Sequence, residues 1–307
     1  MQKLISKMFC AASLQADNQV VVVSVVLDSA MYERLVKNNP YNSGARFIAF
    51  DNRTENKGVA ERYNGFLDTY DYNSPAWFVF CHEDWEIKED WFPRFQTLSK
   101  KHLYGPIGSV FKDGKRRSIK YTYGEIENSA KDGSRKIVVG IKVKGHQVVN
   151  TFDCQCLIVH SDLVKKHHLR FDDKLLFDLY VEDFCINALE RHGIISEILQ
   201  LKCQHYSFGS VQPRFYEGLA YLNDKYKDTG RSYGCTVGHS VIGNQNYNKN
   251  IRYKGHTLFY KIRRFFFQVK ITKSDKLVVK LCRIPLPVNW FKKLLMNCRG
   301  KSNEKAV

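Results

Sequence analysis

The stretch "WFVFCHEDWEI", residues 77–87, reads as an apolar strand that stops abruptly in charge. Bulky aromatics and a valine fill its first half, as in a strand buried on both faces. His82, Glu83 and Asp84 then arrive together. An imidazole and two carboxylates at the end of a buried strand need partners or a cation, so this strand end is the first candidate site.

The neighbouring segments alternate in type. "QVVVVSVVL" (19–27) is a continuous β-branched run, expected of a central strand, and "MYERLVKNN" reads as a short helix closed by Pro40. "ARFIAFDN" (45–52) is a second strand ending in Asp51 and Asn52, followed by the polar loop "RTENKG". From 58 to 70 the apolar positions Val59, Ala60, Tyr63, Phe66, Leu67 and Tyr70 form one helical stripe. The strand "AWFVFCHEDW" and the helix "DWFPRFQTLSKK" follow. Such alternation predicts a parallel sheet with helices on its faces, and ligands beyond the carboxyl ends of the strands. Asp51, Asn52, His82, Glu83 and Asp84 all lie at such ends.

Residues 105–160 change character: strand-like runs joined by polar turns predict an antiparallel portion. A helix returns near Phe177, with Val181, Phe184, Cys185, Ala188 and Leu189 on one face and a stop at Gly193. Glu182 and Asp183 lie off that stripe, free to face a cleft. "IISEILQLKC" is a further strand running into "QHYSFGS", then a helix spans 211–226. "GNQNYNKN" (243–250) reads as a linker.

At 307 residues the chain is long enough for one large core or a core with an appendage. No apolar run reaches the ~18 residues of a membrane span. The opening "MQKLISKMFCAASLQADNQ" is too broken by Lys7 and Gln15 for a secretory leader. Nine cysteines, odd in number and without CxxC spacing, argue for a reducing compartment and against a disulfide framework. Cys154 and Cys156 read as small buried hydrophobes, not a metal pair. The net charge of +17 is uneven: residues 251–307 hold 15 Lys/Arg against 2 Asp/Glu. A nearly balanced body with a basic end predicts a tail that meets an anionic surface.

Four stretches, "FIAFDNRTENKGVAERYNGFL", "WFVFCHEDWEI", "FDLYVEDFCINALERHG" and "CQHYSFG", taken in order, resemble bacterial glycosyltransferase family 2 proteins of the GT-A fold. The branch is the glycosyltransferase-like one related to a streptomycin-biosynthesis protein, and the resemblance covers roughly residues 20–227. It implies an α/β, Rossmann-like fold with a mixed, mainly parallel sheet flanked by helices. The catalytic domain would be 1–242, with a nucleotide-sugar half at about 19–104 and an acceptor half at about 105–242. Residues 243–307 would be linker and basic amphipathic tail.

The same resemblance implies an inverting transfer of sugar from a nucleoside diphosphate sugar, a UDP-sugar above all, to an acceptor hydroxyl. A divalent cation, Mn2+ or Mg2+, would neutralise the leaving diphosphate. Asp84 matches the last acid of the family's Asp-x-Asp triplet and would ligate that ion, with His205 as a third metal contact. His82, in place of the first acid, would lie near the ribose or diphosphate with Glu83. Asp183 would be the base that activates the acceptor hydroxyl, with Glu182 as helper. Asp51, Asn52, Asn56 and Asn64 would contact the nucleotide or brace its loop, and Asp153 would lie near the sugar.

In the tail, "LFYKIRRFFFQVK" and "PVNWFKKLLMN" each place bulky apolar residues on one helical face and basic residues off it, a pattern suited to a membrane interface. The expected setting is the cytoplasmic face of the cell membrane, held peripherally, with a glycan or lipid-linked acceptor and no nucleic acid. Two other functions fit part of this pattern. One is a sugar nucleotidyltransferase, although "LDSAMYERL" lacks the Gly-rich, basic loop of such enzymes. The other is a catalytically silent GT-A-fold binding or scaffold protein at the membrane.

Overall fold

The structure is a computed structural model, and it describes residues 19–112, 118–209, 212–237, 240–243 and 252–254. The chain divides into two compact units, Met1–His256 and Thr257–Val307. The second unit, and with it the expected amphipathic tail, lies outside the described residues.

Strand β1 (Gln19–Val26) has β2 (Arg46–Asp51) on one side and β3 (Ala76–Cys81) on the other, both parallel to it. On the far side of β3 lies β12 (Cys156–His160), antiparallel, and beyond it β5 (Leu103–Gly105), β13 (Ser196–Ile198) and β10 (Val148–Val149). The order of this seven-stranded sheet is β10-β13-β5-β12-β3-β1-β2. Five of the seven run in one direction; β12 and β10 oppose them. The fold is mixed α/β, with a largely parallel sheet that also carries antiparallel strands, as the alternating pattern predicted.

Between β1 and β2 the expected helix begins as α1 (Ser29–Tyr32), capped by the Asp28 side chain on Met31 N, and continues as a π-turn over Glu33–Lys37. Alternation along β3 divides its side chains between two faces. Phe78 and Phe80 share one face with Val21 and Val23 of β1 and with Val159 and Leu157 of β12. Helices α2 (Val59–Thr69) and α5 (Tyr180–His192) cover this face: the Tyr63 ring meets Phe80 at 4.7 Å, and Phe171 meets Phe184 at 4.6 Å. The short α4 (Ser161–His167) follows β12 directly and adds Leu163 and Val164 to the same core. On the other face Trp77 meets Phe95 of the short helix α3 (Phe92–Phe95) at 5.7 Å. Burying aromatic side chains in this number is the main stabilising term, at roughly 1.5–3 kcal/mol for a fully buried Phe.

Three expected elements come out differently. The strand expected to run through His82–Asp84 to Trp85 ends at Cys81, and Trp85–Ile87 (β4) enters another sheet. The helix expected over "DWFPRFQTLSKK" is a single turn; beyond it Thr97 Oγ1 donates to Arg94 O and Ser99 N donates to the Tyr104 hydroxyl. The strand expected over "IISEILQLKC" splits into β13 and β14 (Cys203–His205). The antiparallel portion is present: β6 (Gly108–Lys112) pairs antiparallel with β7 (Ile119–Tyr123) and β11 (Thr151–Phe152), and β8 (Ile126–Asn128) with β9 (Ile137–Val139). Two short strands, β15 (Tyr233–Gly234) and β16 (Val241–Ile242), form a separate antiparallel pair. Past the stretch read as linker, β17 (Arg252–Lys254) runs parallel to β7. Among the described residues no helix is long and apolar enough to cross a membrane.

Asn64 ties α2 to the chain that leads into α5. Its amide donates to Phe171 O at 2.9 Å and to Asp173 Oδ1 at 2.7 Å, and its oxygen accepts from Phe171 N at 2.9 Å. These bonds use both of its donors, so Asn64 braces a loop and does not point to a ligand. Asn64→Ala is expected to lower the urea midpoint with an unchanged slope, by about 2–3 kcal/mol for bonds that include a charged acceptor. A loss below about 0.5 kcal/mol would show that the brace carries no stability.

Candidate metal centre

Beyond Cys81 the chain leaves the sheet in a tight turn. His82 N still donates to Gln155 O at 3.0 Å, and Trp85 N turns back to His82 O at 3.3 Å. The two acids in this turn go separate ways. Glu83 Oε2 accepts from Leu27 N at 2.5 Å and Asp28 N at 2.8 Å, so its carboxylate clamps the end of β1. It is committed to the backbone, not presented to a nucleotide. Asp84 and His82 turn toward β14.

His205 reaches Asp84 through strand pairing. β4 and β14 are antiparallel with Trp85 opposite His205, and Tyr206 N donates to Asp84 O at 2.8 Å. His205 Nε2 therefore lies 3.2 Å from Asp84 Oδ1, and His82 Nδ1 lies 3.8 Å from the same oxygen. The three groups offer ligand atoms all within 4.8 Å of one another. Among the described residues this is the cluster of that kind the chain forms. Among the described residues His205 Nε2 is withdrawn from water, and its near neighbour is Asp84 Oδ1 at 3.2 Å, poorly aligned for a hydrogen bond. A buried ring nitrogen beside a carboxylate and a second imidazole fits a divalent cation. Two nitrogens with one oxygen suit manganese or a similar transition metal better than magnesium.

The remaining expected site residues are distributed around this centre. Asp153, just past β11, accepts from Thr236 Oγ1 at 2.9 Å, and its charge is felt at both His82 and His205. Asp51 is exposed at the end of β2 and paired with Arg53, whose hydrogen bond lowers its carboxyl to about 2. Asn52 is buried and closes the following loop, bonding Lys57 through both its amide nitrogen and oxygen at 2.8 and 3.0 Å. Asn56, exposed in that loop, has a left-handed φ of 48°.

Glu182 and Asp183 do not face an open cleft; both are 1% exposed. The stripe rule fails because α5 is enclosed on every side at its start: residues 180–186 are all buried. Asp183 Oδ1 lies 2.8 Å from Lys225 Nζ and accepts from Tyr226 OH at 2.7 Å, at the seam with helix α6 (Pro213–Lys225). Its carboxylate belongs to that seam and not to the metal centre. Glu182 points the other way, accepting from Cys154 Sγ at 3.1 Å and Cys235 Sγ at 3.5 Å. Cys154 adjoins Asp153, and Asp153 bears electrostatically on Glu182. All six described cysteines are free thiols.

No family model matches this chain, and no curated protein matches it. A solved structure titled "Crystal Structure of A197 from STIV" is similar at 16% identity, with a TM-score of 0.34 over 62% of this chain and 86% of that one.

The electrostatics of the centre follow from burial and contact. Burial pushes the Asp84 carboxyl up, but the His205 and His82 imidazoles outweigh it and hold the group well below the usual range. Burial lowers His82, and Asp84 only partly offsets this. At His205 the opposite holds: the adjoining Asp84 overcomes burial and raises it. Burial, then Asp153, pushes Glu182 to about 7.

Tyr180 and Asp178 were not singled out by the sequence. The Tyr180 hydroxyl reaches His82 Nε2 at 2.9 Å, and Asp178 bears electrostatically on the same imidazole.

The raised Glu182 has a testable sign. A carboxyl lifted from 4.5 to about 7 on folding favours the folded state most below 4.5, and that contribution is lost as pH rises through 7. Between pH 4 and 8, wild type should therefore lose about 3 kcal/mol relative to Glu182→Gln in urea unfolding. Parallel profiles for the two proteins would show that Glu182 is not held protonated by the fold.

Proposed function

We propose that this chain is a divalent-metal-dependent, inverting glycosyltransferase of the GT-A type. It moves a sugar from a nucleoside diphosphate sugar, a UDP-sugar above all, to a hydroxyl of a glycan or lipid-linked acceptor in cell-surface polysaccharide or glycolipid synthesis. The observation that carries this reading is the convergence of His82, Asp84 and His205 at the carboxyl end of β3, from segments over 100 residues apart in the sequence. The largely parallel sheet and the four ordered motifs support it.

The centre would hold Mn2+, or Mg2+ more weakly, through His82, Asp84 and His205. When bound, the ion supplies charge neutralisation for the leaving diphosphate. Asp51 and Asn56, at and beyond the end of β2 two strands from β3, would border the nucleotide, and the buried Asn52 would brace their loop. Asp183, committed to Lys225, leaves the proton-accepting role to Glu182, which is buried beside Cys154 and Cys235 and would meet an acceptor hydroxyl only once that cover opens. A carboxyl poised near neutrality can both take and hold a proton at the operating pH. Asp153, which bears electrostatically on Glu182 and on both imidazoles, would lie near the sugar. The basic tail would hold the enzyme on the anionic inner face of the membrane.

Thermal stabilisation by nucleoside diphosphates, tested with each base and with Mn2+ or Mg2+, measures the binding half of this proposal. Ligand at 100-fold over its Kd should add about 2.7 kcal/mol, and Asp84→Ala should abolish the metal-dependent part. With sugar nucleotides and acceptors, Glu182→Gln should cost at least ~100-fold in turnover while metal binding persists. Asp183→Asn should act mainly by loosening the seam between α5 and α6. Ligand binding without turnover against any acceptor would instead identify a catalytically silent binding protein. No response to any nucleotide would remove the proposal.

A further inference from the structure

We infer that Tyr180 is the positioning residue of the metal centre: its hydroxyl fixes the tautomer of His82, so that the nitrogen facing Asp84 is a bare lone pair. This rests on the metal reading of the site given above, and it assigns a role to a residue to which the resemblance gives none.

Tyr180 OH lies 3.1 Å from Cys154 O and 2.9 Å from His82 Nε2. A carbonyl oxygen can only accept, and a phenol has one hydrogen to give. We place that hydrogen on Cys154 O, whose described hydrogen-bond partner is this phenol; the phenol oxygen then accepts from His82, and Nε2 carries the proton. In the neutral imidazole the other nitrogen, Nδ1, is then unprotonated. Nδ1 is the atom 3.8 Å from Asp84 Oδ1, the same oxygen that lies 3.2 Å from His205 Nε2. The opposite tautomer would place an N–H among the three ligand atoms and exclude a cation from them.

Tyr180 has little freedom to release this hold. It is fully buried, with its ring 6.0 Å from both Tyr63 and Phe171. It opens α5 directly after Leu179, whose φ of 65° is left-handed, a conformation a leucine keeps only when its surroundings impose it. The acceptor is equally fixed: Asp153 Oδ1 accepts from Gln155 N, and Gln155 O accepts from His82 N at 3.0 Å. Phenol, carbonyl and imidazole are thus parts of one closed loop.

The test uses the full-length chain, metal-free, with 15N-labelled histidine, and assigns the His82 signals by their absence in His82→Gln. Wild type should show the Nε2–H tautomer, and Tyr180→Phe a mixture of tautomers. Titration with Mn2+ should give an affinity about 10- to 100-fold weaker in Tyr180→Phe, with the far-ultraviolet dichroism unchanged. An unchanged tautomer and unchanged affinity in that variant would overturn the inference. Should Tyr180→Phe fail to fold, the wild-type spectrum decides alone, since an Nδ1–H tautomer there overturns it. A wild type that shows the expected tautomer but binds no divalent ion removes the metal reading and the ligand role together, whereas intact metal binding with the wrong tautomer removes only the inference.

Discussion

Asp84 is a carboxylate largely withdrawn from water, and its contact with His205 is the interaction around which the candidate site is built. The contact exists because the short strand β4 pairs with β14 in a register that sets Trp85 opposite His205. A one-residue slip would turn the imidazole to the other face of the ladder. Glu83 fixes the same turn from the other side by holding the amides of Leu27 and Asp28. The strand end is thus anchored to β1, to β14 and, through Tyr180, to α5, before any ligand arrives.

Two adjacent carboxylates on α5 show how position decides chemistry. Glu182 and Asp183 are equally buried, and burial raises both. Lys225 and Tyr226 partly offset that rise at Asp183, making it a buried ion pair that joins two helices. Glu182 instead bonds two thiols and lies near Asp153, and the buried Lys120 bears on it only electrostatically. Burial and Asp153 together incline this acid to keep its proton. Losing one partner of the Asp183–Lys225 pair would leave an uncompensated buried charge, which is why its neutralisation acts on stability first.

Much of the fold was legible in the chain itself. The β-branched run at β1, the apolar stripe of α2 and the glycine that stops α5 each follow from local periodicity and backbone preference, and each appears where the pattern put it. The His82–Asp84 cluster was legible as a site because charge at the end of a buried strand is costly. The limits were equally local in origin. Pattern could not see that the strand would break at Cys81, since Trp85 and Ile87 suit a buried strand in either sheet. Nor could it see that a polar helix face would be covered.

The sequence by itself determined the alternation of strands and helices, the core-forming faces, and the presence of acids and imidazoles at strand ends, because these depend on residues a few positions apart. Tertiary structure alone decided which of those acids share a site. Asp84 met His205 by strand register, Asp183 was claimed by Lys225, and Tyr180 was set against His82 by the packing of α5 on the sheet. Each of those outcomes depends on distances between segments far apart in the chain, which no local pattern encodes.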